Sequence, residues 1–263
     1  MKLTKHHGLG NDFLVALDLA REPVGPFTPE QVVAVCHRTQ GVGADGLLWV
    51  TPSSKADLAM VLHNADGSRA EMSGNGISCV GQAALLQGVV EGPEFTVASD
   101  VGIKTLTLER QGSPTRHTLR VDLGAVIVGD LAADWTAGPI THAQWIDVGN
   151  PHLVLAVSDH EAVDLVDVGS RVNAEVAGGA NVETIVCGPD DQVSMRVFER
   201  GVGLTDACGT GACASAAAAH AWGMAGRQVV VHQPGGDATV ELGSTTHYTV
   251  EVEAIARVEW PWA

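Results

Sequence analysis

A cysteine in a glycine-rich turn is the residue of this chain best suited to do chemistry. Cys208 precedes Gly209-Thr210-Gly211, and an alanine-rich run follows from Ala212 to His220. Because alanine has the highest helix propensity, this pattern predicts a helix whose unpaired N–H groups and positive dipole end lie beside the thiol. Glycines let a ligand approach the backbone, so the turn predicts an anion site and a lowered pKa for the Cys208 thiol.

The same arrangement occurs earlier in the chain, where Ser73 precedes Gly74-Asn75-Gly76 and a helix-forming run that extends to Leu86. Ser73 lies 135 residues before Cys208. Other residues recur in the same order at nearly the same spacing: Asn11 and Asn150, Gly43-Ala44-Asp45 and Gly179-Ala180-Asn181, Met60 and Met195, Asn64 and Glu199, Gly74 and Gly209, Gly76 and Gly211. This internal repeat predicts two similar halves, each with several strands and one helix that begins at a glycine turn.

The composition is that of a globular, acidic protein. Of the 263 residues, 45% are hydrophobic and 17% are charged, which is enough to build a core in one or two domains. The formal net charge is −16. Such a field repels phosphate backbones and anionic lipid, so we expect neither nucleic-acid nor membrane partners, and any anion site must be strongly local.

The cysteines and the apolar segments predict a cytoplasmic location. No long apolar segment precedes the first charges, and no run approaches the ~18 apolar residues of a membrane span. The five cysteines are an odd number without paired spacing, so we expect free thiols in a reducing compartment. Because no Cys/His cluster has the spacing of zinc ligands, we expect no metal site.

Local patterns predict the elements that carry the glycine turns. Apolar runs between turn residues predict strands around Phe13–Leu17, Leu47–Val50 and Leu58–Leu62. Thr28 is placed to cap a helix over residues 29–38. Residues 6–12 form a polar turn in this interpretation, with His6 and His7 at the surface.

Two helix N-termini that face one cleft would hold the α-carboxylate of an amino acid between two sets of backbone N–H groups. The side chains of residues 73 and 208 would then lie on opposite faces of the α-carbon. One group would remove the α-proton and the other would return a proton from the far side, which is racemisation or epimerisation without a cofactor. Because that proton is very weakly acidic, desolvation and aligned dipoles must stabilise the carbanion.

Motifs along most of the chain identify a family. They are His7-Gly8-Leu9-Gly10-Asn11-Asp12-Phe13, Gly43-Ala44-Asp45-Gly46, Asn64-Ala65-Asp66-Gly67-Ser68, Gly74-Asn75-Gly76, Gly149-Asn150-Pro151-His152, Asn181-Val182-Glu183, Glu199-Arg200-Gly201-Val202-Gly203 and Ala207-Cys208-Gly209-Thr210-Gly211-Ala212. Together they are highly specific, and in them the chain resembles the diaminopimelate epimerases.

This resemblance implies a pyridoxal-free isomerase of lysine and peptidoglycan-precursor biosynthesis. Such an enzyme interconverts LL- and meso-2,6-diaminopimelate and is usually a homodimer. The implied fold is α+β, with two pseudo-symmetric domains that are each a curled, mostly antiparallel sheet around a central helix. We expect an N-terminal lobe over residues 1–124, a C-terminal lobe over 125–250, and a final segment, 251–263, that returns to the first lobe.

The resemblance also assigns roles to individual residues. Cys208 matches one of the two catalytic thiols, and His152 and Glu199 match residues that tune the thiols. The backbone clamp on the reacting carboxylate matches Gly74, Asn75, Gly209 and Thr210. Residues that hold the substrate match Asn11, Asn64, Asn150, Asn181, Glu199 and Arg200. A guanidinium for a carboxylate, a carboxylate for an ammonium and amides for direction suit a zwitterion.

Each of these residues also has a structural interpretation. Asn11, Asn64 and Asn150 could bond their own turns. Glu199 and Arg200 could form a solvated charge pair, and His152 could be a structural histidine. The other cysteines, Cys36, Cys79, Cys187 and Cys213, are expected in the core.

Ser73 is a departure from the family, because the second catalytic thiol belongs at this position. A serine hydroxyl is a far weaker acid than a thiol. The serine could be an engineered replacement, or it could be natural and act slowly as the second acid. The chain could also have acquired another reaction that needs one thiol, such as β-elimination or racemisation of another amino acid. An intact clamp without an acid/base pair would make a binding protein.

Overall fold

A computed structural model describes residues 1–19 and 26–261 of the chain. Its contacts form two compact units. Unit 1 comprises Met1–Val121 and the C-terminal segment that begins at Val250, and unit 2 comprises Asp122–Thr249. Each unit combines a mixed sheet with a buried helix, so the predicted α+β class with two similar domains is confirmed.

Unit 1 is a mostly antiparallel sheet around the buried helix α2. Its elements are β1 (Lys2–Gly8), β2 (Asn11–Leu17), α1 (Pro29–Cys36), β3 (Gly46–Pro52), β4 (Leu58–Asn64), β5 (Arg69–Ala70), α2 (Gly74–Leu86), β6 (Glu94–Ser99), β7 (Gly102–Ser113) and most of β8 (Arg116–Gly124). The chain crosses over in parallel through α1, between β2 and β3, and through α2, between β4 and β6. Neighbours are antiparallel in the pairs β1–β2, β3–β4, β6–β7 and β7–β8.

Unit 2 repeats this topology around the helix α4. Its elements are β9 (Ile127–Leu131), β10 (Ile140–Asp147), β11 (Pro151–Val157), α3 (Leu165–Glu175), β12 (Asn181–Cys187), β13 (Gln192–Glu199), β14 (Gly203–Thr205), α4 (Gly209–Ala221), β15 (Gln228–Gln233), β16 (Gly236–Leu242) and the start of β17 (Thr246–Glu259). Parallel crossovers again enclose the helices, α3 between β11 and β12 and α4 between β13 and β15.

The strand β17 contributes to both units. Residues 246–249 pair with β16 in unit 2, and residues 252–259 pair antiparallel with β1 in unit 1. None of the described residues forms a helix that is long and apolar enough to cross a bilayer.

The central helices explain the small residues that open them. Every residue from Gly74 to Ala84 in α2 and from Gly209 to Ala219 in α4 is buried. A helix enclosed on all sides by a curled sheet has no solvent face, so it needs no amphipathic stripe. Small side chains also let the strands approach its backbone.

The predicted capping of α1 is confirmed. The Thr28 hydroxyl accepts from the Gln31 N–H, and the Gln31 side chain accepts from the Thr28 N–H. The helix ends at Cys36, two residues before the predicted end at Arg38.

Two expectations for the N-terminal residues are wrong. The polar turn predicted over residues 6–12 is the end of β1, a tight turn at Leu9 and Gly10, and the start of β2. His6 is buried rather than at the surface, because its side chain faces α2 and contacts the Gln82 side chain, with 2.8 Å between His6 Nδ1 and Gln82 Oε1.

Candidate active site

The helix predicted to follow Cys208 begins at Gly209, and Cys208 is its N-cap residue. The cap has extended backbone angles, φ −138° and ψ 116°, and its sulfur accepts a hydrogen bond from the Gly211 N–H at 3.4 Å. The backbone N–H of Cys208 donates to Gln233 Oε1 at 2.7 Å. The thiol is therefore held at the helix N-terminus, where unpaired N–H groups cluster.

Ser73 has the equivalent position in unit 1. It is the N-cap of α2, with φ −142° and ψ 123°, and its hydroxyl oxygen accepts from the Gly76 N–H at 3.0 Å. Both helices contain 13 residues. The repeat inferred from the sequence thus places residues 73 and 208 at equivalent positions of the two units.

The electrostatic prediction for Cys208 is wrong. Burial raises the pKa of the Cys208 thiol well above its usual value, and the neighbouring carboxylates of Glu199 and Glu183 raise it further. Hydrogen bonds from Thr210 and the Gly211 N–H lower this pKa, but the other effects outweigh them. The raised pKa favours the thiol form of Cys208 over the thiolate, which suits a proton donor.

The carboxylate of Glu199 interacts with the Cys208 thiol. It ends β13, and its Oε1 accepts a hydrogen bond from the Thr205 hydroxyl. Burial raises the pKa of Glu199, as does the charge of Glu183, against the lowering effect of hydrogen bonds from Thr205 and Cys208. The protonation of Glu199 and that of Cys208 are therefore linked.

His152 is fully buried and lies in a chain of polar contacts that ends at the helix N-terminus. Its Nδ1 is 2.7 Å from Glu183 Oε1, and its Nε2 is 3.1 Å from Asn150 Oδ1. The Asn150 amide in turn donates to the Thr210 hydroxyl, which is also 3.5 Å from the Cys208 sulfur. Four of the predicted residues of unit 2 thus meet at one place.

The strand register identifies the residue of unit 1 that corresponds to His152. In the parallel pair β11–β12, His152 is opposite Asn181, and in the parallel pair β2–β3, Phe13 is opposite Gly46. Phe13 therefore replaces the imidazole with a buried phenyl ring.

Leu48 is the residue of unit 1 that corresponds to Glu183, as the atoms packed against the first turns of α2 and α4 indicate. A Cβ atom on Gly211 would lie 2.8 Å from Glu183 Oε1, and one on Gly76 would lie 3.5 Å from Leu48 Cδ2. Leu48 and Glu183 are both fully buried. The floor under the helix N-terminus is therefore apolar in unit 1 and ionisable in unit 2.

Asn11, in unit 1, is held by a separate polar network. The Asn11 amide donates to Asp45 Oδ2 at 2.9 Å, and Asp45 Oδ1 accepts from Arg38 at 2.6 Å. Arg38 and Lys5 both form ion pairs with the buried Asp12 at 2.8 Å. Hydrogen bonds thus fix the position of Asn11 at the start of β2.

Two further asparagines bond to backbone or side-chain groups near them. The Asn64 amide donates to the Ser68 hydroxyl at 3.1 Å, and Asn181 Oδ1 accepts from the Arg200 N–H at 2.8 Å. The Arg200 guanidinium is exposed at a turn and donates to the Gly178 carbonyl at 3.0 Å. Asn75 is fully buried in the first turn of α2.

The other cysteines are free, and three of them are buried as expected, namely Cys36, Cys79 and Cys213. Cys187, the last residue of β12, is only partly buried. Within residues 1–19 and 26–261, no three His, Cys, Asp or Glu side chains are placed to hold a metal ion.

The sequence interpretation gave no role to three residues of this region. Asp45 orients Asn11, and Gln233 holds the backbone of Cys208. Glu183 contacts His152 and lies beneath Gly211. Glu183 and Asp45 belong to motifs that carry the family resemblance, whereas nothing in the sequence around Gln233 distinguishes it.

Comparison with solved structures shows the same fold in distant proteins. A Bacillus anthracis phenazine biosynthesis protein of the PhzF family superposes with a TM-score of 0.75 at 16% identity, over 100% of this chain and 99% of the other. A hydroxyproline epimerase from Agrobacterium vitis superposes with a TM-score of 0.72 at 19% identity, over 98% of this chain and 91% of the other.

Sequence comparison identifies closer relatives. A protein of Desulfitobacterium hafniense named diaminopimelate epimerase is 39% identical over 92% of this chain and 91% of its own length. One of the same name from Pelotomaculum thermopropionicum is 36% identical over 100% and 99%. The profile of the family described as Diaminopimelate epimerase matches residues 3–128 and 144–256. The chain belongs to the diaminopimelate epimerase family.

Proposed function

We propose that this chain interconverts LL- and meso-2,6-diaminopimelate by removing and returning the α-proton, with Cys208 and Ser73 as the two acid/base groups. The observation that carries the proposal is the equivalent N-cap position of these residues in two repeated units, each beside the N–H groups of a glycine turn. The names of the relatives from D. hafniense and P. thermopropionicum support the substrate.

The proposed roles follow from the chemistry of each group. Backbone N–H groups of Gly74, Asn75, Gly209 and Thr210 hold the reacting carboxylate, and their fixed dipoles stabilise charge that develops on it. Glu199 exchanges protons with Cys208, and His152 orients the polar chain next to it. The residues that hold the rest of the substrate are Asn11, Asn64, Asn150, Asn181, Glu199 and Arg200.

We also propose that the enzyme is a homodimer in the cytoplasm, with no metal or pyridoxal cofactor. Its five free thiols, all within the described residues, are compatible with a reducing compartment. Sedimentation at several protein concentrations tests the dimer.

A second function is favoured by the floor beneath Ser73. Leu48 and Phe13 stand at the positions of Glu183 and His152 and supply no base. Among the described residues the Ser73 hydroxyl bonds only to the Gly76 N–H, so it is not activated. A chain of this kind would exchange the α-proton on the Cys208 side alone. The product would then keep the configuration of the substrate.

Incubation of each stereoisomer of diaminopimelate in deuterated water tests both functions. Epimerisation places solvent deuterium at the α-carbon with inversion, whereas one-sided chemistry gives exchange with retention. A protein that only binds the amino acid gives neither. Absence of both inversion and exchange under saturating substrate would refute the proposed activity.

A further inference from the structure

Glu183 is a buried carboxylate that the proposed reaction does not yet use. It lies on β12, it is 0% exposed, and its Oε1 is 2.7 Å from His152 Nδ1. The other oxygen, Oε2, has no hydrogen-bond partner among the described residues. Leaving an acceptor of a charged group unpaired is costly, so packing alone does not account for this carboxylate.

The first effect of Glu183 is on the imidazole. An ionised carboxylate only accepts hydrogen bonds, so His152 Nδ1 donates to Glu183 Oε1. Its Nε2 lies 3.1 Å from Asn150 Oδ1, and the same amide leads on to Thr210 and Cys208. A carboxylate that fixes the orientation of an imidazole in this way is a common support of catalytic sites.

The second effect is on the helix N-terminus. A Cβ atom on Gly211 would lie 2.8 Å from Glu183 Oε1 and 3.4 Å from the Cys208 sulfur, so both groups border the same small space. The charges that face the sulfur in unit 2 are Glu183 on β12 and Glu199 on β13. Neutral donors from α4 are the Thr210 hydroxyl and the Gly211 N–H.

Comparison of Glu183 with the corresponding residue of unit 1 shows whether packing of the core requires a carboxylate at this position. Leu48 occupies the corresponding place in unit 1 and is equally buried. The equivalent strand of unit 1 therefore fills this part of its core with an aliphatic side chain. The ionisable pair is present only in the unit whose N-cap is a thiol.

We infer that Glu183 is a positioning residue of the proton-transfer site, which orients His152 and places a carboxylate beside the Cys208 sulfur from beneath α4. The inference rests on the proposed function for its role in turnover. Its effect on the thiol does not depend on any substrate. The raised pKa of Cys208, to which Glu183 contributes after burial and Glu199, supports it.

Alkylation of the substrate-free protein by iodoacetamide tests the effect on the thiol. Glu183→Gln keeps the size of the side chain and removes its charge, and Glu175→Gln removes one exposed charge from α3 as the matched control. Modification of Cys208 is followed by fragment-ion mass spectrometry, which distinguishes it from Cys213. We expect Cys208 of Glu183→Gln to react about tenfold faster at a fixed pH, because one of the two carboxylates that disfavour the thiolate is removed.

Glu183→Asp separates the charge from the geometry. It keeps the negative charge but shortens the reach to His152, so we expect alkylation within about twofold of the parent and a clear loss of kcat. Far-ultraviolet circular dichroism verifies that each variant is folded. Equal alkylation rates in Glu183→Gln and Glu175→Gln overturn the inference.

If Glu183→Gln does not fold, Glu183→Asp decides, and unchanged kcat in that variant overturns the inference. Failure of the proposed function has a different signature. The parent then shows no epimerisation or exchange, while the alkylation rates still differ between Glu183→Gln and Glu175→Gln.

Discussion

Ser73 Oγ and Cys208 Sγ accept the same hydrogen bond, each from the N–H three residues further along its helix. Serine is among the best N-cap residues, so replacing a thiol by a hydroxyl keeps the helix start intact. The change is in the acidity of the side chain, because a hydroxyl is a far weaker acid than a thiol. The substitution is therefore expected to spare the fold and the carboxylate clamp while it removes proton-transfer capacity.

Restoring a thiol at residue 73 should raise the rate of epimerisation. We expect Ser73→Cys to increase kcat by roughly 10²-fold or more, because general acid–base catalysis contributes about that much and the hydroxyl lacks a base. Inversion at the α-carbon in deuterated water is the measurement. Cys208→Ser in the parent is the control and should abolish exchange, and equal turnover in Ser73→Cys and the parent would contradict the role given to Ser73.

The same change should make the activity sensitive to oxidation. If residues 73 and 208 flank one α-carbon, as we propose, two thiols there can form a disulfide. We expect a mild oxidant to inactivate Ser73→Cys reversibly, with dithiothreitol restoring activity, and to form no disulfide at Cys208 in the parent. A disulfide from Cys208 to another cysteine of the parent, detected by non-reducing peptide mapping, would rule out the proposed arrangement.

Gly211 and Gly76 should differ in their tolerance of a methyl group. In Gly211→Ala the new Cβ lies 2.8 Å from Glu183 Oε1, whereas in Gly76→Ala the nearest atom is Ser73 Cβ at 3.1 Å. We expect Gly211→Ala to lower the free energy of unfolding by about 1–3 kcal/mol and Gly76→Ala by less. Thermal unfolding of both variants checks this, and the reverse order would show that Glu183 does not constrain α4.

The ion pairs of Asp12 should set part of the acid stability. Burial disfavours the charged carboxylate, but hydrogen bonds from Arg38 and Lys5 outweigh it and hold the pKa of Asp12 below its usual value. Stability from a lowered pKa is fully present above ~3.9 and is lost as the pH falls through the folded-state pKa.

Asp12→Asn should therefore cost about 1–3 kcal/mol at neutral pH, and the difference from the parent should shrink below about pH 4. Urea unfolding at several pH values measures it. Asp134→Asn, at an exposed aspartate, is the control and should stay within about 0.5 kcal/mol of the parent at neutral pH. A constant difference across the pH range would contradict the assignment to Asp12.

Local residue types were sufficient to predict the repeat and both helix starts. A glycine turn followed by alanine or other small residues is typical of the start of a helix. The starts of α2 and α4 could therefore be predicted from single positions such as Gly74 and Gly209. The helix α3 was not predicted. Only Leu165, Gly169 and Val172 of it are buried, and a central glycine weakens the pattern further.

The residue-by-residue correspondence between the two units could be established only from the strand register of the structure. Matching Gly43-Ala44-Asp45 to Gly179-Ala180-Asn181 gives an offset of 136, but the pairing places Asn181 opposite His152 where unit 1 has Gly46 opposite Phe13. The offset within these strands is thus 135, because a loop can lose a residue without altering the strand after it.

The electrostatics of Cys208 could not be predicted from neighbours in sequence. Burial raises the thiol pKa, and so do the charges of Glu199 and Glu183, which come from two other strands. A glycine turn indicates only the donors of its own helix. For the same reason His6, which follows a lysine, gave no sign that it packs against Gln82.

The placement of β17 has a consequence for synthesis on the ribosome. β1 is translated before the other described strands of the two units, yet one of its two edges pairs with residues 252–259 of β17, which are translated after those strands. Unit 2 needs only residues up to Thr249 and can close its sheet earlier. Unit 1 is therefore begun before unit 2 but completed after it. Until residues 252–259 are paired, the open edge of β1 is the part of the chain most exposed to mispairing and to chaperones.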